Sequence, residues 1–152
     1  MAGVRRATYN DTTNIVEFLE KYHTEGSVLS DIPFNSKDMT SVTNYHLKMP
    51  KHVIFIYEDT SEKLRGVLMG SIEPFMFNQR RTWASDLLFV SEQGGAWILK
   101  KFIAWARLYN VDRIMMGVST RNERSDDLYQ ALGLEHMGGM YSLTIREAEK
   151  PS

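Results

Sequence analysis

Between His52 and Val118 the chain alternates in a way that few folds can accommodate. Three stretches rich in β-branched and aromatic residues follow one another, with only short polar turns between them. His52 to Asp59 carries Val53-Ile54-Phe55-Ile56-Tyr57, the polar run Glu58 to Lys63 turns the chain, and Leu64 to Phe77 resumes as a long strand. Asn78 to Arg81 reads as a second turn, leading into a strand from Trp83 to Val90. Turns this short join antiparallel neighbours, so the three segments form a meander. The next connection is of another kind. After the break Ser91-Glu92-Gln93-Gly94-Gly95, Ala96 to Tyr109 is a strongly apolar helix, and Arg113 to Val118 is again a strand. A strand–helix–strand unit requires a parallel, right-handed crossover. One sheet must then hold antiparallel pairs in one half and a parallel pair in the other, which excludes a doubly wound architecture.

The flanks add strands and helices to this centre. Val4 to Thr8 is a short strand candidate, and Asn10 or Asp11 can cap a helix whose Ile15, Val16, Phe18, Leu19 and Tyr22 recur at helical spacing. From His23 to Phe34 the pattern dissolves into Gly26, Ser27, Ser30, Asp31 and Pro33, a loop. Ser36 opens a second helix, with Met39, Val42 and His46 on one side, that ends near Pro50. Glu123 to Leu132 is a further helix closed by Gly133, and Glu135 to Ile145 gives one or two closing strands around Gly138-Gly139. The expected fold class is therefore α/β (α+β): a mixed, mostly antiparallel central sheet of six to seven strands with four helices. Residues 1–147 are expected to form one domain, with 148–152 a disordered tail.

Composition removes several kinds of chemistry. The 152 residues include no cysteine, so disulfides, thiolate nucleophiles and cysteine–zinc sites are excluded, and a reducing cytoplasm is the expected compartment. The start MAGVRRATYN has no apolar stretch after its arginines, and no apolar run approaches the ~20 residues of a membrane span. A net charge of −1 offers no general attraction for nucleic acid or an anionic membrane, and Arg5-Arg6 and Arg80-Arg81 are too small to make a nucleic-acid footprint. His23, His46, His52 and His136 show no metal-ligand spacing, so no metal is expected.

Two segments can carry chemistry. In DLLFVSEQGGAWILKKF, a strand ends in Gly-Gly and feeds straight into a helix, presenting free backbone N–H groups and the positive end of the helix dipole to phosphate oxygens. Glycine pairs also occur in loops purely for turn geometry, so both readings stand. The second segment, STRNERSDDLYQALGLEHMG, follows the strand that ends at Val118. Its Asn122, Leu128-Tyr129 and Leu132-Gly133-Leu134 resemble the Asn, Leu-Tyr and Leu-Gly-Phe motif of the GNAT superfamily of N-acetyltransferases, with Leu134 in the phenylalanine's place. With the order of elements, the resemblance covers essentially the whole chain. The family's phosphate loop has small residues where, aligned on Gln93, this chain has Ala96 and Ile98.

The resemblance implies a sheet splayed open between its fourth and fifth strands, with acetyl-CoA lying in the cleft as co-substrate. Leu88, Phe89 and Val90 would pair with the pantetheine arm, and the N–H groups of Gln93, Gly94, Gly95, Ala96, Trp97 and Ile98 would hold the pyrophosphate. Asn122 would approach the arm from the facing side, and Tyr129 would occupy the general-acid position beside the sulfur. For the base, Asp86 lies on the strand that leads into the cleft, and Glu73 on the preceding strand competes with it. Each carboxylate could equally be a solvent-facing strand residue. The implied activity is acetyl transfer to an amine of a small molecule or a protein, with a homodimer as a common assembly of the family. The alternative is a binding or accessory protein, of a phage type for example, that keeps the fold without turnover.

Overall fold

The computed structural model describes residues 2–117, 123–139 and 141–146. Its strands are β1 (Gly3–Arg6), β2 (His52–Glu58), β3 (Leu64–Phe75), β4 (Asn78–Ser91) and β5 (Arg113–Met115). Its helices are α1 (Thr12–Gly26, entered through a 3-10 turn at Tyr9–Asp11), α2 (Ser36–Lys48), α3 (Gly95–Arg107) and α4 (Glu123–Ala131). The strands form one sheet in the order β1-β2-β3-β4-β5, antiparallel throughout except for the parallel pair β4–β5.

The unbroken apolar run in β2 follows from a sheet that is covered on both faces. Val53, Phe55 and Tyr57 point into a core completed by Leu68, Ile72 and Ala84 of the sheet and by Ile98, Leu99, Phe102 and Trp105 of α3. Ile54 and Ile56 point the other way, joining Val67, Met69, Val90 and the α1 residues Ile15 and Leu19. Because side chains in a strand alternate, one β-branched stretch serves both cores.

Several expectations need correction. Among the described residues the sheet has five strands rather than six to seven, since the described residues of Glu135 to Ile145 form none. There Tyr141, Leu143 and Ile145 alternate with polar residues and are 100%, 81% and 86% exposed. Alternation reports a preference for extended backbone, but a strand exists only where a ladder partner is aligned, and β5 offers an edge only three residues long. The β3–β4 turn is Met76-Phe77 rather than Asn78 to Arg81, which lengthens β4 at its start. Helix α1 continues through His23 to Gly26, and α2 buries Thr43 with Met39 and Leu47 against the sheet while Val42 faces outward. Thr43 can be buried because its hydroxyl donates to the Met39 carbonyl one turn back, at 2.7 Å. The cap of α2 is Asn35, whose side chain accepts the Asp38 N–H, and not Ser36. Val118, Asn122 and residues 147–152, to which strand, site and tail expectations attach, lie outside the described residues. Among the described residues, no helix is long and apolar enough to cross a membrane.

The entry to α1 is fixed by charge. Arg5 of β1 grips the nearly buried Asp11 with two bonds of 2.7 and 2.8 Å, and its Nε donates to Glu58 of β2 at 2.6 Å. Asp11 also accepts the Thr8 N–H at 2.8 Å. Its carboxyl is held below the usual range, by the Arg5 hydrogen bonds before all else. Asp11→Ala leaves a guanidinium and an N–H unsatisfied, and should cost about 1–3 kcal/mol in thermal or urea melts at pH 7. A depressed carboxyl stabilises above its unfolded pKa and stops doing so as pH falls through the folded one. The gap between Asp11→Ala and wild type should therefore close in acid.

Candidate functional site

The sheet opens at one definite point. β4 and β5 pair at Trp83–Arg113, Ala84–Ile114 and Ser85–Met115, and then stop, although β4 runs on to Ser91. The start of β5 is tied down: Thr82 and Asp112 exchange bonds, Asp112 N–H to the Thr82 carbonyl at 2.8 Å and Thr82 N–H to the Asp112 carboxylate at 3.1 Å, and Arg81 pairs with Asp112. At the other end, the Gly117 N–H goes to the Asp86 carboxylate, at 2.9 Å, instead of to a main-chain carbonyl. The Asp86 carbonyl is meanwhile taken by the Ser85 hydroxyl at 3.0 Å. A carboxylate stands out from its strand by two further carbons, so the two strands part here.

A bulge lies at the same level. Gly70 of β3 faces Asp86 and Met69 faces Leu88, which leaves Leu87 unpaired and exposed. Such an insertion bends the strand and re-aims the residues beside it. Past the bulge, Leu88 packs toward the α1 side of the sheet and Phe89 toward α3.

Helix α4 brings Tyr129 to the opening. Its ring is buried in the α3 core, and its hydroxyl donates to the Gly117 carbonyl at 3.0 Å. The last turn of α4 is locked: Leu134 N–H bonds to the Tyr129 carbonyl and Gly133 N–H to that of Gln130, with Gly133 at φ +88°. This is a Schellman closure, and the left-handed residue it requires is the glycine of the Leu-Gly-Leu sequence. Gly117 is thus held by two side chains, Asp86 on its N–H and Tyr129 on its carbonyl. Burial pushes the Asp86 carboxyl above its usual value, against the pull of the Gly117 N–H. Burial, and then the charges of Asp86 and Asp126, push the Tyr129 hydroxyl up as well, so it remains protonated throughout the working range.

The start of α3 supplies the third part. Glu92 and Gln93 give their N–H groups to the Arg65 carbonyl, and the Arg65 guanidinium holds the Glu92 carboxylate at 3.0 Å. Gly94 then turns left-handed, at φ +80°, with its Cα against the ring of Tyr57, where any side chain would collide. Ile98 N–H closes the first helical bond to the Gly94 carbonyl, at 3.0 Å. The N–H groups of Gly95, Ala96 and Trp97 have no acceptor among the described residues, no side chain caps the helix, and its first turn contains no acid. The helix dipole adds positive potential at the same place. Gly95 lies beside Leu128 of α4, which brings this turn next to the element that carries Tyr129.

The structure therefore gathers Asp86, Tyr129, the strand Leu88 to Val90 and the turn Gly94 to Trp97 around one gap. Within the expected phosphate turn, Gln93 and Ile98 already spend their N–H groups on the protein. The Ile98 side chain is fully buried in the α3 core, so the larger residue at this place does not obstruct the turn. Glu73 is not part of the gathering. It faces Trp83 on the α1 side of the sheet, three residues from Gly70, and is exposed, whereas Asp86 points to the α3 side. Asn122 lies outside the described residues. Gly117 escaped the sequence reading because its role is carried entirely by main-chain atoms. A surface groove of about 590 Å³ between α1 and α2, bordered by Glu17, Glu20 and Thr40, contains none of the expected site residues. Among the described residues, no group of three or more His, Asp or Glu side chains could hold a metal ion.

No family model matches the sequence, and no curated protein matches it. Solved structures do. The glucosamine-6-phosphate N-acetyltransferase from Arabidopsis thaliana matches at 14% identity and a TM-score of 0.73, over 96% of this chain and 99% of that one. A predicted acetyltransferase from Clostridium acetobutylicum, solved with acetyl-CoA, matches at 16% identity and a TM-score of 0.70, over 95% and 97%. A transcriptional regulator from Bacillus halodurans C-125 matches at 15% identity and a TM-score of 0.74, over 94% and 100%. Likeness at such identities is a likeness of backbone. Over nearly its whole length the chain has the fold of the GNAT-type acetyltransferases.

Proposed function

We propose that the chain, as one domain over residues 1–147, transfers an acetyl group from acetyl-CoA to an amine by direct attack. One observation carries this reading. The free N–H groups of Gly95, Ala96 and Trp97 open a helix beside the gap between β4 and β5, where Asp86 and Tyr129 converge on Gly117. A diphosphate fits donors of this kind, and Gly95 adds no side chain to hold it off. The strand edge Leu88 to Val90 faces the gap past the end of the β5 ladder, and its main chain suits the amides of a pantetheine arm. Asn122 would meet that arm from the opposite side. Acetyl-CoA supplies a thioester already activated toward nucleophiles.

The remaining work belongs to the chain. Asp86, or a water it holds, accepts the proton lost by the amine as the new N–C bond forms. A carboxyl raised by burial is a better base than an exposed one. Tyr129 turns its hydroxyl from the Gly117 carbonyl to the sulfur as the C–S bond breaks and negative charge gathers there. Because it stays protonated it is always ready as a donor; solvent later takes the proton from Asp86 and returns one to Tyr129. Glu73, on the other sheet face, is the competing base only if the acceptor enters from the α1 side. That side includes the hairpin tip Met76-Phe77 and the stretch His23 to Met49, whose Glu25, Asp31 and Asp38 suit a cationic amine. A second reading, a binding or accessory protein without turnover, is favoured by the likeness to a transcriptional regulator.

Calorimetry separates the two. Wild type should bind acetyl-CoA, and Gly95→Glu should lose about tenfold or more of that affinity through charge and bulk at the helix start. Equal affinity in a variant with unchanged circular dichroism removes this turn from the site, and no binding by wild type favours the accessory protein. Released thiol, followed across a set of amines, then reads turnover. Tyr129→Phe should slow it about 10²- to 10⁴-fold with acetyl-CoA affinity kept. Wild-type turnover in that variant returns Tyr129 to packing alone.

Asp86→Asn should do two opposite things. Turnover should fall, and the rise of rate with pH should disappear, while Glu73→Gln leaves both intact. Stability should move the other way. The folded-state pKa of Asp86 lies above the ordinary aspartate value of 3.8, so the wild-type carboxyl favours folding below about that pH. That advantage is lost as pH rises through the folded pKa and a charge must be kept out of water. Asparagine can still accept the Gly117 N–H without the charge. Thermal melts should therefore show Asp86→Asn at least as stable as wild type at pH 7, with any gain fading below about pH 4. A strongly destabilised variant at pH 7 would make Asp86 a structural residue.

A further inference from the structure

A pair of histidines joins the end of α2 to the sheet. His46 lies in the last turn of α2, and His52 is the first residue of β2. Their Nδ1 atoms are 2.8 Å apart, and their rings stack with centroids 4.9 Å apart and planes 29° from parallel. Tyr45 meets both rings near a right angle, at 5.3 and 5.5 Å. The turn between them, Met49-Pro50-Lys51, is strained, since Lys51 sits in the left-handed region at φ +60°. Two main-chain bonds flank it, Met49 N–H to the Tyr45 carbonyl at 3.0 Å and Ile72 N–H to the Lys51 carbonyl at 2.9 Å. The ring pair therefore closes a turn that the backbone alone does not favour.

Two facing ring nitrogens at this distance share one proton. One ring donates from Nδ1, and the other accepts there and carries its own hydrogen on Nε2. A first added proton settles on the donor ring's Nε2, and the bond survives, now charge-assisted. A second must go to the accepting Nδ1, where it sets N–H against N–H and one positive ring on another. Among the described residues no carboxylate is bonded to either ring. The charged and titratable groups around the pair are Tyr45 and Lys48 on α2, Lys51 in the turn, and Arg6 of β1, whose guanidinium donates to the His52 carbonyl at 3.1 Å. On β3, Ser71 faces His52, and Glu73 stands two residues further on. From α1, Thr12 meets Asn44, and Asp11 before it is taken by Arg5. We infer that His46 and His52 form a pH-sensitive latch, which keeps α2 on the sheet near neutrality and releases its last turn when both rings are charged. Burial, and then the neighbouring His52, hold His46 below the ordinary histidine value, in keeping with this. The latch is independent of the acyl-transfer reading, because Met39 and Leu47 place α2 on the α1 face of the sheet whatever the chain's activity.

The direction of the effect follows from the lowered pKa. Between the ordinary value of 6.5 and the lower folded one the unfolded chain binds more protons. The latch is therefore whole above the ordinary value and is lost as pH falls through the folded one. Ring NMR of the wild-type chain, titrated from about pH 8 to about pH 5, should show the pair taking up its protons in two separate steps. Amide hydrogen exchange, corrected for the chemical rate, should show Met49 and Ile72 losing about tenfold in protection over the second step, as expected for one hydrogen bond lost. His46→Asn offers His52 a donor or an acceptor as needed and does not titrate, so its Met49 and Ile72 protection should stay level over the same range. Stoichiometric zinc should move neither ring. A single step shared by both rings overturns the latch. So does the same pH dependence of protection in wild type and His46→Asn. A zinc-induced shift of both rings also overturns it, because the facing nitrogens are then metal ligands. The ring titration needs only the wild-type chain, so it decides the matter even where His46→Asn fails to fold.

Discussion

The gap in the sheet depends on a single substitution of hydrogen-bond partners: a carboxylate takes the N–H of Gly117 where a strand carbonyl would otherwise continue the ladder. Up to Ser85 and Met115 the strands are bonded through main chain. From there the carbonyl of Asp86 is occupied by Ser85, its side chain reaches across, and Tyr129 takes the carbonyl of Gly117 from the α4 side. At the parting point Gly117 has both its main-chain groups bonded, and no buried side-chain nitrogen or oxygen among the described residues lacks a partner. The strands can therefore separate without the cost of orphaned donors that would otherwise pull them together. The opening is a built feature and not a frayed end.

The same point is where the molecule spends stability. A half-buried carboxylate kept charged at neutral pH costs free energy, and a tyrosine hydroxyl beside it is held from ionising by the same burial. The compensation lies elsewhere, in the two cores that sandwich β2 and β3 and in the Arg5–Asp11–Glu58 network at the far edge. There a carboxylate is held below its usual pKa, and charge favours folding. Two aspartates in one chain are shifted in opposite directions for one reason each: Asp11 has a bidentate guanidinium, and Asp86 has only an N–H. The contrast supports the proposed role of Asp86 as a base.

Much of this was legible in the residues. The meander, the parallel crossover and the positions of all four helices follow from runs of β-branched residues and helical spacing, which are local properties. The errors fall where the outcome depends on something distant. Tyr141, Leu143 and Ile145 alternate as well as any strand, but alternation cannot say whether an edge is there to pair with. Val42 looked inward because it is apolar, yet the α2 face that meets the sheet is set by Met39 and Leu47, and Thr43 follows them. The hairpin turn was misplaced because Met76 and Phe77 are poor turn formers by composition, and the exposed pair is tolerated at the tip by Phe75 and Trp83 stacked beside it. Asp86 and Glu73 could not be separated in sequence because their facing depends on the bulge at Leu87 and on the register with β3.

The glycine pair shows how a motif and its physical cause can differ. Gly94 is required by its own left-handed backbone and by the ring of Tyr57, two internal reasons that would hold in a protein binding nothing. By itself the pair is therefore no evidence of a ligand. The donors around it say more: Glu92 and Gln93 are spent on Arg65, Ile98 on Gly94, and the three N–H groups between them on nothing among the described residues. A helix could cheaply have placed an aspartate or serine at its cap to satisfy one of them. Here the cap is glycine, the nearest acid is tied away by an arginine, and an exposed tryptophan and lysine stand at the same turn. This helix start is the part of the chain on which the proposed diphosphate site rests.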